Sequence, residues 1–131
     1  MSAEANKAAV LSFYDAASSG DADKAIGLLM QVMDPEIDVH ESPLVPWGGD
    51  YHGLEEFAGA LANISTYVDA AGWEVADVVA EGDVVVSRCF VPYKATPDSA
   101  PVRTMLCEWF RFREGRIVEI WPLFFDVPSA P

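Results

Sequence analysis

Apolar residues recur every three or four positions through the first part of this chain, then every second position from Trp73 onward. Val10, Phe13, Tyr14 and Ala17 stand at helical spacing between Glu4 and Ser18, and Gly20 in the following "SSGD" supplies a stop. A second helix is predicted from Asp21 to Met33, capped by Asp21 and burying Ile26, Leu29 and Met30. Pro35 closes that segment. "EIDVHES" then alternates as a short strand, with Ile37, Val39 and Glu41 on one face and Asp38, His40 and Ser42 on the other. "PLVPWGGDYHG" reads as a loop from its Pro and Gly content. "LEEFAGALANISTYV" follows as a third amphipathic helix, with Leu54, Phe57, Leu61, Ile64 and Val68 inward.

Beyond Trp73, "WEVADVVA", "DVVVSRCFVPY", "VRTMLCEWFRF" and "RIVEIWPLFF" are four strands rich in Val, Ile and aromatics. The Gly-containing "EGD" and "REGR" make tight hairpins, and "KATPDSAP" a longer one. Helices followed by a run of strands indicate an α+β fold, with helices on one face of an antiparallel sheet. "PSAP" at the end is expected to fray.

Parity sorts these strands into two faces. One face of the third carries Leu106, Glu108, Phe110 and Phe112; the other carries Met105, Cys107, Trp109, Arg111 and Arg113. On the last strand Glu119, Trp121 and Leu123 lie opposite Val118, Ile120, Pro122 and Phe124. Helices cover only one side of such a sheet, so Phe90, Met105, Trp109 and Trp121 would leave an apolar patch in water. A homodimer through that face is the expectation, with cover by the chain's own tail as the alternative.

Composition narrows the function. A chain of 131 residues, 51% of them hydrophobic, suits one domain over residues 1–131 with a substantial core. Acidic residues outnumber basic ones 21 to 8, a formal charge of −13, which repels nucleic acid and anionic membrane surfaces. A neutral or cationic small ligand fits that field better. The N-terminus shows no basic region followed by an apolar block, and no apolar run has the length of a membrane span; a cytoplasmic protein is expected. Cys89 and Cys107 fall at opposite parities, which argues against a disulfide. His40 and His52, weighed with Asp38 and Asp50, lack convergent ligand spacing, so no metal is expected. Neither a nucleophile triad nor a Gly-rich phosphate loop is present in the pattern.

The chemistry concentrates on Glu108, a carboxylate among three large apolar side chains. Such a group is either a desolvated acid with a raised pKa or a structural carboxylate bonded to Tyr, Trp or Arg donors. Glu41 is either a base facing it or a solvated rim residue. Trp47 and Tyr51 form a wall with N–H and O–H donors, or else pack as ordinary loop residues. Ser87, Cys89, Val91 and Tyr93 share the inward parity and are expected as lining; Cys89 has no local His or cation to activate it.

"FYDAASSGDADKAIGLL", "HESPLVPWGGDYHG" and "EWFRFREGRIVEIWPLFFD" resemble the nuclear transport factor 2-like superfamily, closest to its SnoaL-like polyketide cyclases and ketosteroid isomerases. The resemblance runs from about Lys7 to Asp126. It implies a cystatin-like cone, a curved antiparallel sheet wrapped by three N-terminal helices, opening into an apolar pocket and dimerising through the outer sheet face. In ketosteroid isomerases a carboxylate base follows the second helix, where "VHESP" places Glu41, and a neutral carboxylic acid precedes an aromatic-Arg-Phe motif, where "EWFRF" places Glu108. Their oxyanion-hole Tyr aligns with Phe13, beside Tyr14. The resemblance thus implies cofactor-independent isomerase or cyclase chemistry next to a carbonyl of a neutral hydrophobic substrate. Glu41, Glu108 and Tyr14 are the catalytic candidates; Phe13, Phe57, Leu61, Phe110, Ile120 and Phe124 complete the expected lining. The rival implications are a non-catalytic binding protein, and an epoxide hydrolase or dehydratase in which Arg88 or Arg103 would approach the carboxylates.

Overall fold

Ser2 begins the first helix by accepting a bond from the Ala5 amide through its side chain, and Asp21 caps the second by accepting from Lys24 at 3.0 Å. The computed structural model describes residues 2–128; the expected frayed tail falls on residues 129–131, outside the described residues, apart from Pro128. Within the described residues the order is α1 (Ala3–Ser18), α2 (Ala22–Val32), β1 (Met33–Glu41), β2 (Gly49–His52), α3 (Leu54–Ile64), β3 (Glu74–Glu81), β4 (Val84–Tyr93), β5 (Val102–Arg113) and β6 (Arg116–Phe124). A 3-10 turn, Ala70–Gly72, leads into β3.

The strands form a curved six-stranded sheet in the order β2-β1-β6-β5-β4-β3. The four long strands predicted from alternation are present within a residue or two of their expected ends, joined as antiparallel neighbours. The sheet is mixed, not wholly antiparallel, because β1 pairs parallel to β6. Strand β1 also starts earlier than predicted: Met33 is its first residue, and the irregular register between Met33 and Asp38 accommodates Pro35. The segment from Gly49 to His52, read as loop, is the short edge strand β2. Helix α3 therefore follows two strands, and the helices are not one N-terminal run.

Two further expectations fail for local reasons. Ile26 is 41% exposed, because α2 turns Ala25 and Leu29 inward instead. Helix α3 ends at Ile64, and Val68 reaches the interior through an isolated bridge to Tyr93. At the β5–β6 hairpin Glu114 and Gly115 both take positive φ, 52° and 77°, as a type I′ turn requires.

The inner sheet face and the helices enclose the main core, in which Val10, Tyr14, Ile37, Val39, Val85 and Phe110 are almost wholly buried. Each such large apolar side chain contributes about 1.5–3 kcal/mol relative to exposure. A second cluster joins Trp47 on the β1–β2 loop to Val91, Tyr93 and Leu106. On the outer face the aromatics are not bare. Arg103 lies 3.9 Å over the Phe90 ring, Arg111 4.8 Å over Trp109, and the His40 ring stacks on Trp121 at 4.0 Å. Trp121 still keeps 41% of its surface exposed. Cys89 and Cys107 are both free thiols, one buried and one part-exposed.

Candidate active site

Pairing across the sheet puts the two candidate carboxylates in one row. Val39 lies beside Ile120 in the parallel β1–β6 ladder, so continuing that register sets Glu41 level with Pro122. Pro122 in turn pairs with Glu108 on β5, and Glu108 with Ser87 on β4. Two strand spacings of about 4.8 Å therefore separate the backbones of Glu41 and Glu108, with Pro122 between. The β1 ladder ends at Val39, so the missing N–H of Pro122 interrupts no bond to β1.

Both carboxylates reach a cavity of about 100 Å³ between the inner sheet face, α1, α2, α3 and the β1–β2 loop. Its walls are otherwise almost entirely apolar. Of the predicted lining, Phe13, Trp47, Phe57, Leu61, Phe110, Ile120 and Phe124 line this space. Tyr51, Ser87, Cys89 and Val91 do not. Tyr51 donates its hydroxyl to the Trp47 carbonyl, and Val91 packs in the second cluster. Ser87 and Cys89 are buried behind the wall. Leu106, placed on this face by parity, also lines it, as do Leu29, Ile64, Val68, Trp73 and Pro122, which were not named as lining.

Tyr14, too, stands behind the wall. It is 1% exposed, and its hydroxyl is 2.7 Å from Glu108 Oε1, to which it donates, and 2.7 Å from Ser87 Oγ. It touches Glu108 from the core side, while its neighbour Phe13, about 100° round the helix, faces the cavity. Burial and the adjacent Glu108 charge hold the Tyr14 phenol well above its ordinary pKa, so it stays a donor. Trp73 stacks on Tyr14 at 5.4 Å and braces this arrangement.

The electrostatics follow from burial. Burial lifts Glu108 to about 7, against the stabilising Tyr14 bond. Glu41, 7% exposed, is also lifted to about 7: burial dominates, the nearby Trp47 indole opposes it, and the Glu108 charge adds to it. Glu41 Oε1 and the indole nitrogens of Trp47 and Trp73 are buried without a hydrogen-bond partner. The Trp47 indole lies close enough to the Glu41 carboxylate to favour its charged form, short of a well-formed hydrogen bond. Two like charges in one apolar space repel, so the pair titrates as a unit and holds one proton near neutral pH.

Other candidate groups stand elsewhere. Arg88 pairs with Asp77 and Arg103 with Glu74, each at 2.8 Å on the outer face, so neither bridges the two glutamates. His40 bonds Asp50 and Glu119, and His52 bonds Asp38 and Glu36, each histidine using both ring nitrogens on carboxylates. Among the described residues no His, Cys, Asp and Glu grouping is arranged to hold a metal ion. No described helix is long and apolar enough to cross a membrane.

The family model described as SnoaL-like domain matches residues 10–120. The fold is shared with Bal32a from a soil-derived mobile gene cassette, at TM-score 0.77 and 19% identity, covering 95% of this chain and 92% of that one. A cystatin-like-fold protein of unknown function from Xanthomonas campestris superposes at TM-score 0.76 and 18% identity, over 93% and 92% of the two chains. A candidate SnoaL-like polyketide cyclase from Jannaschia sp. CCS1 does so at TM-score 0.76 and 19% identity, over 98% and 94%. No curated protein matches the sequence.

Proposed function

This chain belongs to the SnoaL-like domain family, and from that premise we propose that it is a small-molecule enzyme of cofactor-independent acid–base type. The observation that carries the reading is the convergence of Glu41 and Glu108 on one apolar cavity. A pair sharing one proton near neutral pH supplies a base and an acid together. Glu41, as carboxylate, takes a proton from the carbon next to a substrate carbonyl. Glu108, in the state in which it rather than Glu41 holds the shared proton, hydrogen-bonds the oxygen on which charge develops. Tyr14 holds Glu108 in place from behind, its own hydroxyl also meeting Ser87 Oγ. Return of the proton to a different carbon gives isomerisation, whereas attack of the enolate carbon on a second carbonyl of the same substrate, whose oxygen then takes the proton, gives ring closure. A neutral, largely apolar substrate suits both the lining and the acidic net charge of −13.

The test is deuterium uptake in D2O, followed by proton NMR, over a panel of small cyclic ketones, enones and 1,3-dicarbonyls. Exchange at the carbon next to the carbonyl is expected with the native chain. It should fall at least a hundredfold in Glu41→Gln and less in Glu108→Gln. Exchange no faster than in a Glu41→Gln/Glu108→Gln double variant for every compound would leave a ligand-binding protein without turnover. We also infer a homodimer through the outer sheet face, supported by the exposure of Trp121 and the partial exposure of Phe90, Met105 and Trp109 on the same face.

A further inference from the structure

The triplet Asp-x-His occurs twice in this chain, as Asp38-Val39-His40 on β1 and Asp50-Tyr51-His52 on β2. Antiparallel register pairs Asp38 with His52 and His40 with Asp50, so each strand offers an acid and an imidazole to the other. Both cross-strand pairs close at 2.8 Å through the Nδ1 atoms. Each ring spends its second nitrogen on a further carboxylate. His40 Nε2 lies 3.0 Å from Glu119 on β6, and His52 Nε2 lies 2.8 Å from Glu36 on β1. A carboxylate only accepts, and a neutral imidazole has one N–H to give. With both nitrogens of each ring bonded to carboxylates, the two histidines are imidazolium.

The surroundings favour that state. Burial opposes the charge on His40, but the bonds and charges of Asp50 and Glu119 outweigh it and raise its pKa. Asp38 and Glu36 raise His52 in the same way. Glu55 and Glu56 at the start of α3 add negative charge beside His52. Arg111 on β5 reaches Glu119 only at 3.9 Å and pairs more closely with Asp83. Folded-state values above the ordinary 6.5 mean that these bonds are whole below that pH and are lost as pH rises through the raised values. What they hold is β2, a four-residue strand at the edge of the sheet with β1 as its neighbour. Tyr51 on β2 donates its hydroxyl to the Trp47 carbonyl, and Gly49, opposite Glu41, closes the loop that carries Trp47. Trp47 in turn is a wall of the cavity.

We propose that the two Asp-x-His repeats form a proton-dependent clasp, which holds β2 and, through Tyr51, the Trp47 wall, and which releases both when the rings lose their protons. Each deprotonated ring keeps one of its two bonds and turns a lone pair toward the other carboxylate, so attraction there gives way to repulsion. Strand β2 is short and borders a single strand, and the His52 amide ties it to Glu56 on α3. It therefore has little else to absorb the loss. Trp47 is held against the cavity in acid and freed in base. The clasp acts from outside the cavity, whether or not the cavity turns a substrate over.

The test uses the full chain carrying Glu41→Gln and Glu108→Gln, so that the cavity acids do not titrate. Ring nitrogen NMR should find both nitrogens of His40 and of His52 protonated at pH 6, with midpoints above the ordinary 6.5. Amide protection in β2, taken against the unfolded-chain rate at each pH, should fall about tenfold from pH 6 to pH 9, while β4 changes less than about twofold. The fluorine signal of fluorotryptophan at position 47, identified by its loss in Trp47→Phe, should shift or broaden over the same range. Adding His40→Gln and His52→Gln should abolish both responses. Should that chain fail to fold, Asp38→Asn and Asp50→Asn carry the test, by bringing the histidine midpoints down toward 6.5 and moving both responses to lower pH. Midpoints at or below 6.5, unchanged β2 protection, or responses that persist without the histidines would overturn the proposal. Loosening of β2 with a fixed Trp47 signal would overturn the link to the cavity.

Discussion

The two glutamates of the cavity should make the protein lose stability as pH rises, the reverse of the usual carboxylate effect. Both are lifted from an ordinary 4.5 to about 7, chiefly by burial. A folded-state pKa above the unfolded one means that the native chain holds more protons between the two values. Each group's contribution is therefore fully present below about pH 4.5 and is lost as pH climbs through about 7. At about 1.4 kcal/mol per pH unit the displacement is worth about 3 kcal/mol per group, most of it falling between pH 5 and 8. Part of the Glu41 displacement is repulsion from Glu108, so the pair totals less than twice that figure. The assay is urea unfolding at pH 5, 6, 7 and 8 of the native chain and of the Glu41→Gln/Glu108→Gln double variant. The amides do not titrate, so the difference between the two curves cancels His40, His52 and the surface carboxylates. The native chain should lose about 3–5 kcal/mol relative to the double variant from pH 5 to pH 8. Parallel curves would mean that both acids ionise as in water, and the desolvation argument would be wrong.

Three other outcomes are expected. Tyr14→Phe removes the donor to Glu108 Oε1, and should raise the Glu108 pKa by about one further unit, the worth of one charge-assisted bond; a carboxyl-carbon NMR titration with no upward change would refute Tyr14 as that donor. Gly48→Ala sets a Cβ against the backbone of Ser42 and Pro43, at 2.3 and 2.9 Å, and should cost about 1–3 kcal/mol and loosen Trp47. Thermal unfolding and the tryptophan emission maximum check it, and an unchanged midpoint would show that the loop yields freely. Trp121→Glu on the outer face should convert the inferred dimer to a monomer by light scattering; a mass unaffected by the substitution would exclude this face as the contact.

What could be read from the sequence follows the range of each signal. Alternation is local, and it placed Leu106, Glu108 and Phe110 on the inner face and Ile37, Val39 and Glu41 likewise, as the structure has them. The neighbour of β1 was not readable, because a parallel ladder between strands at opposite ends of the chain leaves no turn sequence between them. The choice between Phe13 and Tyr14 depended on helix rotation of about 100°, which the resemblance left open; burial sends the phenol to Glu108 and the Phe ring to the cavity. Trp73 was read as the first residue of a strand. Its role as cavity wall comes from the close approach before it, where a Gly72 Cβ would stand 2.4 Å from Pro92. "AAGW" held that signal only in outline, as a small-residue turn set against an aromatic. The outer aromatics were expected to lie open, and the arginines and histidine that cover them sit on the same pleat face or the next strand, within reach of cation–π contact.

The parallel seam between β1 and β6 also bears on the order in which the protein assembles. The β3–β4–β5–β6 meander closes through short connections, whereas β1 finds β6 only after nearly the whole chain has emerged, which makes that docking the slow, entropically costly step. Glu108 comes with the meander and Glu41 with the late strand. A partly folded chain would thus have its sheet and helices yet lack one of the two acids. Amide exchange should find β1 opening before β4 and β5, with the site dismantled at the first of those events.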